Sequence, residues 1–313
     1  MKLNKILFPT DFSEHAERAF SHAANLAAKF DAEIHALHVR VKQHDDYPAL
    51  QHLLEDFEGT VDEMAEGLAE EKVLPFPNTP HNLVIKADTT DSSACNAIDN
   101  YIDEHDIDMV VMGSHGRRGP SRVLLGSTAE CVIRNAPCPV LTLRSNADTM
   151  NQEEMKHILI PIDFSKFSVS ALGYANALAT AWNAKITLVH VIEEVLIPTV
   201  YGVEAMTLTY SDPLITQSNG KLKALAARKL DSDLSVETQT LIGSPASAIA
   251  DYAEEKDVDL IVLASHGLTG LKRFVLGSIA TALNRKAPCA VLTVKPFGKS
   301  LIEEEEMELE GVI

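Results

Sequence analysis

Short, almost wholly apolar runs alternate along the chain with longer stretches in which apolar residues recur every three or four positions. The first kind reads as strands buried on both faces, the second as amphipathic helices laid against them. Residues 5–8 form the first run. Pro9-Thr10-Asp11-Phe12-Ser13 ends it, and Ser13 is placed to cap a helix whose inner face carries Ala16, Ala19, Phe20, Ala23, Ala24, Leu26 and Ala27. Further strands are predicted over residues 33–39, 83–87, 107–112 and 138–143. Helices are predicted over residues 90–104, with Ala94, Ala97, Ile98, Tyr101 and Ile102 inward, and over 129–134. Residues 44–71 are polar and acidic and read as a loop leading into a surface helix over about 53–69, after which Pro75, Pro77 and Pro80 bar any helix.

The pattern then runs out over a polar linker, residues 146–155, and restarts. His157-Ile158-Leu159-Ile160-Pro161-Ile162-Asp163-Phe164-Ser165 repeats the chain's opening, and His190-Val191 repeats His38-Val39. Helices are expected over 168–182, 221–230, 246–256 and from the second glycine loop to Lys286; strands over 185–192, 236–242, 260–264 and 290–294. Residues 193–220 give no readable period. A repeat of this length is domain duplication, since solenoid units are far shorter. The expected organisation is one domain over 1–145, a second over 156–297 and an acidic tail over 298–313 that frays. Strand and helix alternation within each half implies a five-stranded parallel sheet between helices, with right-handed crossovers. Such sheets bind ligands outside the carboxyl ends of their strands, where strand order reverses.

One stretch on that edge carries chemistry. Gly113-Ser114-His115-Gly116-Arg117-Arg118-Gly119-Pro120 follows the fourth strand, and Leu125-Gly126-Ser127-Thr128 opens the next helix. Glycines without Cβ let backbone approach an anion, helix-start amides point outward at the positive end of the dipole, and the hydroxyls of Ser127 and Thr128 add donors. It is not a Walker A loop, because no lysine precedes Ser127, and it is not the dinucleotide-binding fingerprint. The layout returns in the second half, where Gly267, Gly277 and Ser278 stand 151 positions after Gly116, Gly126 and Ser127, although Ala264 replaces Gly113 and Ile279 replaces Thr128. Asp11 and Asp163 either cap the following helix or face a ligand; position on the loop's edge favours the ligand. His115 and His266 read as histidines satisfied by a nearby carbonyl, His38 and His190 as packing residues.

The net charge of −18 argues against a nucleic-acid partner held by phosphate contacts and reads as solubility. Arg117, Arg118, Arg122 and Arg134 run against that trend near the first loop. No apolar run reaches bilayer length and the amino-terminal segment is too short in apolar core for a signal peptide, so a cytoplasmic protein with no membrane partner is expected. The four cysteines, Cys95, Cys131, Cys138 and Cys289, form no C-x-x-C pair and no zinc spacing. They read as buried, inert thiols, with a redox switch at Cys131 or Cys138 as the alternative.

The combination of Pro9-Thr10-Asp11-Phe12-Ser13, His38-Val39, Val110-Val111-Met112-Gly113-Ser114-His115-Gly116, Leu125-Gly126-Ser127-Thr128 and Ala136-Pro137-Cys138-Pro139-Val140-Leu141 resembles the universal stress protein family, here in tandem form. The resemblance implies two Rossmann-like domains akin to the adenine nucleotide α-hydrolases, the first keeping the glycine pattern of the members that bind ATP. Carried onto this chain, Pro9, Thr10, Asp11 and Val39 would meet the adenosine end, while Met112, Gly113, His115, Gly116, Arg117, Gly126, Ser127 and Thr128 would surround the phosphates. Asp163, Val191, Gly267, Gly277 and Ser278 are the matching positions of the altered second site. The cofactor implied is ATP, or ADP or AMP, with Mg²⁺ as an optional companion. No catalytic or metal-ligating residue is assigned. Three readings follow: a nucleotide-binding stress-response protein with its domains packed as an internal pseudo-dimer; a slow ATPase or autophosphorylating kinase, which lacks a P-loop lysine and an aspartate pair by the loop; or an interaction module, ligand-free in the second half. A homodimer of tandem chains stays open.

Overall fold

The computed structural model describes residues 1–11, 13–41, 83–90, 93–114, 125–144, 155–193, 212–266 and 276–302. The surface helix expected over 53–69, most of the linker, both glycine-loop interiors and the run Glu303–Glu306 lie outside the described residues. The first half gives β1 (Lys5–Pro9), α1 (Glu14–Phe30), β2 (Glu33–Val41), β3 (Leu83–Thr90), α2 (Ala94–His105), β4 (Met109–Gly113), α3 (Ser127–Asn135) and β5 (Val140–Leu143). The second gives β6 (His157–Pro161), α4 (Lys166–Trp182), β7 (Lys185–Ile192), α5 (Asp212–Lys229), β8 (Val236–Ile242), α6 (Pro245–Glu255), β9 (Leu260–Ala264), α7 (Ser278–Lys286) and β10 (Ala290–Val294).

The strands make one ten-stranded sheet in the order β3-β2-β1-β4-β5-β10-β9-β6-β7-β8. Each half is parallel throughout, and the two expected five-stranded sheets join where β5 pairs antiparallel with β10, Leu141 opposite Leu292. The order is therefore palindromic. In each half the chain crosses from one side of the sheet to the other between β1 and β4, and between β6 and β9, which makes these gaps the switch points.

Local chemistry accounts for the element ends. Ser13, Ser93 and Ser165 cap α1, α2 and α4, each hydroxyl accepting from the amide three residues on. Asp31, Asp106 and Asn183 end these helices in the left-handed conformation, which short polar side chains tolerate. Helix α2 starts at Ala94 and not at residue 90, because Thr90 completes β3 and Ser93 is the cap. Helix α5 begins nine residues before the predicted start, at Asp212. Its first turns expose Pro213, Leu214, Thr216 and Gln217, so no buried stripe marks them in the sequence. Asp108 Oδ2 accepts from the Asn4 and Lys5 amides at 2.6 Å and 3.0 Å, and Asp259 does the same for Lys156 and His157 at 2.7 Å and 2.9 Å. These pairs lock the amino ends of β1 and β6 to the strands beside them.

One apolar cluster runs under α1, α4 and α5 across both halves, from Ile6, Phe8 and Phe20 to Ile158, Leu172 and Leu222. The opposite face holds two separate clusters, one under α2 and α3 and one under α6 and α7. Polar contacts finish the seam. Buried Asn284 accepts from Thr142 Oγ1 at 2.8 Å and donates to Thr293 Oγ1 at 3.0 Å. Arg144 donates to Ala287 O at the end of α7, and Lys295 reaches the Ile133 and Arg134 carbonyls at the end of α3. The chain after β10 then lies on the first half: Lys299 pairs with Asp106 and Asp108 at 2.7 Å and 2.6 Å, and Leu301 is buried.

The cysteines divide. Cys138 and Cys289 are buried thiols, as expected, and burial pushes each up to about 12. The expectation of inert thiols fails for Cys95 and Cys131, which form a disulfide between α2 and α3. Their 36-residue separation carries no motif, so only the packing of the two helices brings them together.

Candidate functional site

Strand β1 delivers Pro9, Thr10 and Asp11 to the carboxyl edge of the sheet beside Gly113, the last residue of β4. Thr10 N–H donates to Leu37 O at 2.9 Å, and His38 Nδ1 lies 2.9 Å from Thr10 O. In the second half Ile162 N–H donates to Val189 O at 2.7 Å and His190 Nδ1 lies 2.7 Å from Ile162 O. His38 and His190 thus tie the second strand of each half to the turn after the first strand. Position in the repeat singled them out, but their role as struts needed the fold.

Asp11 and Asp163 do hold the turns that start α1 and α4. Asp11 Oδ1 accepts from Ser13 N at 3.1 Å and Asp163 Oδ1 from Ser165 N at 2.9 Å. Between them Phe164 takes φ 63°, a left-handed value unusual for an aromatic residue, and its ring lies 4.7 Å from that of His190. The capping role is real at both positions; it places the carboxylates on the edge without excluding a ligand there.

The glycine loops are closed at their bases by matching hydrogen bonds. Ser114 N–H donates to Leu143 O at 2.7 Å and Gly126 N–H to Ser114 O at 2.8 Å. Ser265 N–H donates to Val294 O at 2.9 Å and Gly277 N–H to Ser265 O at 2.8 Å. Gly126 and Gly277 are the N-caps of α3 and α7, and neither helix has a side-chain cap. That contrasts with the serine caps of α1, α2 and α4. Ser127 and Ser278 are exposed in the first turn, with Thr128 and Ile279 half-buried beside them. A helix start with outward amides and no serine or aspartate of its own over them is suited to an external anion.

Val39 and Val191 are half-buried at the neighbouring strand ends, and Met112 is buried under Gly113. Gly113 does not have a positive φ, so its lack of Cβ matters for close approach and not for backbone conformation. His115, Gly116, Arg117 and Gly267 lie outside the described residues. His266 is buried, with Nδ1 2.9 Å from Ser265 Oγ and its ring against those of Phe167 and Phe297. Arg134 turns from the loop to Glu130 on its own helix at 3.1 Å, and Glu130 also takes Arg285 at 2.8 Å. Among the described residues no cluster of three or more His, Cys, Asp or Glu is arranged to hold a metal ion, and no helix is long and apolar enough to cross a membrane.

The structure defines a tandem of Rossmann-like α/β domains sharing one sheet, each with a glycine-capped helix start that no side chain covers at its switch point. The universal stress protein family model matches twice, over residues 2–144 and 154–295, and the chain belongs to that family. It is 25% identical over 299 residues to a universal stress protein of Mycolicibacterium smegmatis, covering 93% of this chain and 97% of that one. A universal stress protein of Methanocaldococcus jannaschii is 35% identical over 146 residues, 45% of this chain and 81% of the relative, which therefore matches about one domain. The crystal structure of a universal stress protein from Archaeoglobus fulgidus shares the fold with a TM-score of 0.64 at 20% identity, covering 94% of this chain and 99% of that one.

Proposed function

We propose that the first half binds an adenine nucleotide, ATP or ADP, and that the protein acts in the stress response as a nucleotide-binding regulator. The observation that carries this reading is the Gly126-capped start of α3, open to an anion and set beside Gly113 and Asp11 at the β1/β4 switch point. Backbone amides of α3 and the Ser127 and Thr128 hydroxyls receive the phosphates; the Asp11 carboxylate accepts from the ribose hydroxyls. The second half serves as a pseudo-dimeric partner that completes the sheet. Ile162 in place of Thr10 and Ala264 in place of Gly113 favour that supporting role, since one removes a hydroxyl and the other adds a methyl at the edge.

The full-length protein should gain thermal stability with ATP and Mg²⁺, as ligand bound only to the folded state requires. Asp11→Asn keeps an acceptor for Ser13 and removes the charge. It should weaken nucleotide about tenfold, the loss expected for a hydrogen bond to a charged group. Absence of any shift in the unmodified protein sinks the reading, and an unchanged affinity in the variant removes Asp11 from the site.

A further inference from the structure

Four side chains meet between α2 and α3, away from the glycine loop. Cys95 and Cys131 form the bridge. Asp99, one turn after Cys95, places Oδ2 3.6 Å from Cys95 Sγ. Asn135, one turn after Cys131, donates to Asp99 Oδ2 at 3.2 Å and sets its amide 3.8 Å from Cys95 Sγ and 3.5 Å from Cys131 Sγ. A disulfide sulfur carries no hydrogen, so the Cys95–Asp99 contact becomes a hydrogen bond only when the bridge opens. Asp99 Oδ1 is buried with no hydrogen-bond partner among the described residues. Asp99 and Asn135 line a cavity of about 430 Å³, with Asp103, Arg134, Lys295 and Phe297 on its other walls. Cys95 is buried, and Cys131 is partly exposed.

The second half packs the same pair of helices without any of these groups. Ala246, Ala250, Ala282 and Lys286 stand at the positions of Cys95, Asp99, Cys131 and Asn135. Neither the crosslink nor the carboxyl is needed to hold such a pair together.

We propose that Cys95–Cys131 is a thiol–disulfide exchange site whose substrate is a dithiol, and that Asp99 carries the proton to and from Cys95. One thiolate of the dithiol attacks Cys131 Sγ, the more exposed sulfur. The S–S bond breaks and Cys95 Sγ leaves with the electron pair, taking the proton of the Asp99 carboxyl while the Asn135 amide donates to the developing charge. The second thiolate of the dithiol then attacks its own sulfur in the mixed disulfide. Cys131 leaves and is protonated from water. Asp99 recovers its proton from water; the dithiol is oxidised to its disulfide, the bridge is reduced to two thiols, and the two protons the dithiol released to water on forming its thiolates match the two the cysteines gain. The site is independent of the nucleotide reading.

The groups around Asp99 suit it to this exchange. Burial lifts its carboxyl to about 6, the Asn135 hydrogen bond opposes the rise, the Asp103 carboxylate adds to it, and the Lys295 ammonium opposes it. The remaining ionisable groups on the cavity wall are Arg134, which is paired with Glu130, and His266, whose Nδ1 lies 2.9 Å from Ser265 Oγ.

The test is the rate at which dithiothreitol reduces the bridge in the native, full-length protein. It is read as maleimide-reactive thiols above the buried Cys138 and Cys289 background and divided by the thiolate concentration at each pH. The normalised rate should rise several-fold as pH falls through about 6, where Asp99 gains its proton. Asp99→Asn should flatten this profile, and Asp103→Asn, which removes a like charge, should move its midpoint to lower pH. A bridge that opens only in denaturant overturns the proposal, as does a flat profile in the unmodified protein. So does an inflection that survives Asp99→Asn. The unmodified profile decides the matter even where a variant misfolds.

Discussion

The two halves share their scaffolding to the level of single hydrogen bonds and differ in what stands on it. Both have an aspartate and a serine building the turn into the first helix, a histidine strut to that turn, a serine pinning the glycine loop and a glycine capping the last helix. What recurs under both is what this fold requires of its carboxyl edge. Among the differences are groups that would meet a ligand or a reductant: Thr10 against Ile162, Gly113 against Ala264, Thr128 against Ile279, and the Cys95, Asp99, Cys131, Asn135 constellation against three alanines and a lysine. A duplicated chain carries its own control, because the second copy shows which residues the architecture can do without.

The sharpest way to break this comparison is to place a negative charge at each helix start in turn. Ser127→Glu should weaken nucleotide at least about thirtyfold, roughly 2 kcal/mol, by repelling phosphates and occupying the outward amides. The fold should not suffer, since an acidic residue in the first turn favours a helix by about 0.3–1 kcal/mol. Ser278→Glu should leave that binding unchanged. Isothermal titration of the two variants decides it: equal losses mean the second half binds nucleotide as well, and no loss in either means that neither helix start is the phosphate site.

A smaller effect sharpens the reason for the difference. Gly113 sits in extended backbone, so Gly113→Ala costs no conformational strain and adds only the methyl that Ala264 already carries. Affinity should fall about three- to tenfold, or roughly 1 kcal/mol, through crowding at the strand end. If titration shows the same affinity as before, the first glycine does not separate the halves, and the contrast moves to Ile162 and Ile279.

Most of this scaffold was legible in the residue pattern. Apolar runs between alanine-rich helical stretches gave most of the described strands, because buried parallel strands leave an unbroken hydrophobic signal; edge strand β8 instead shows mixed polar and apolar residues and is largely unburied. The repeat gave the two domains and marked Asp11, Asp163, Gly126 and Gly277. Three features were not legible. The continuous sheet depends on which edges meet at β5 and β10, a choice that strand patterns do not encode. The start of α5 buries nothing and so leaves no period. The Cys95–Cys131 bridge depends on two helix faces meeting across a sequence gap that follows no rule of spacing. At the site itself, the absence of a side-chain cap at Gly126 could be anticipated from glycine at that position, whereas the histidine struts could be placed only by strand order.

The last contrast is in acid response, and it is the subtlest. The first half holds two half-buried groups that the second replaces with Tyr174 and Ala250: His22 and Asp99. Burial pushes the His22 imidazole from its ordinary 6.5 down to about 4 and lifts the Asp99 carboxyl from 3.8 to about 6. Their linkages oppose each other. As pH falls from 6.5 towards 4, the unfolded chain protonates the imidazole and the folded chain does not, so the stability His22 confers is present above that window and lost on the way down. As pH rises from 3.8 to about 6, the unfolded chain releases the Asp99 proton first, so the stability Asp99 confers is present at low pH and lost on the way up. The two slopes overlap and largely cancel between about 4 and 6. Urea unfolding of the full chain across this range should therefore show a weaker pH dependence of stability than either variant alone. The stability difference between the unmodified protein and His22→Gln should grow with pH, and the difference from Asp99→Asn should shrink with pH. Two differences with the same sign of slope would mean that one of these side chains is solvated in the folded protein, and the first half would then titrate no differently from a chain without that group.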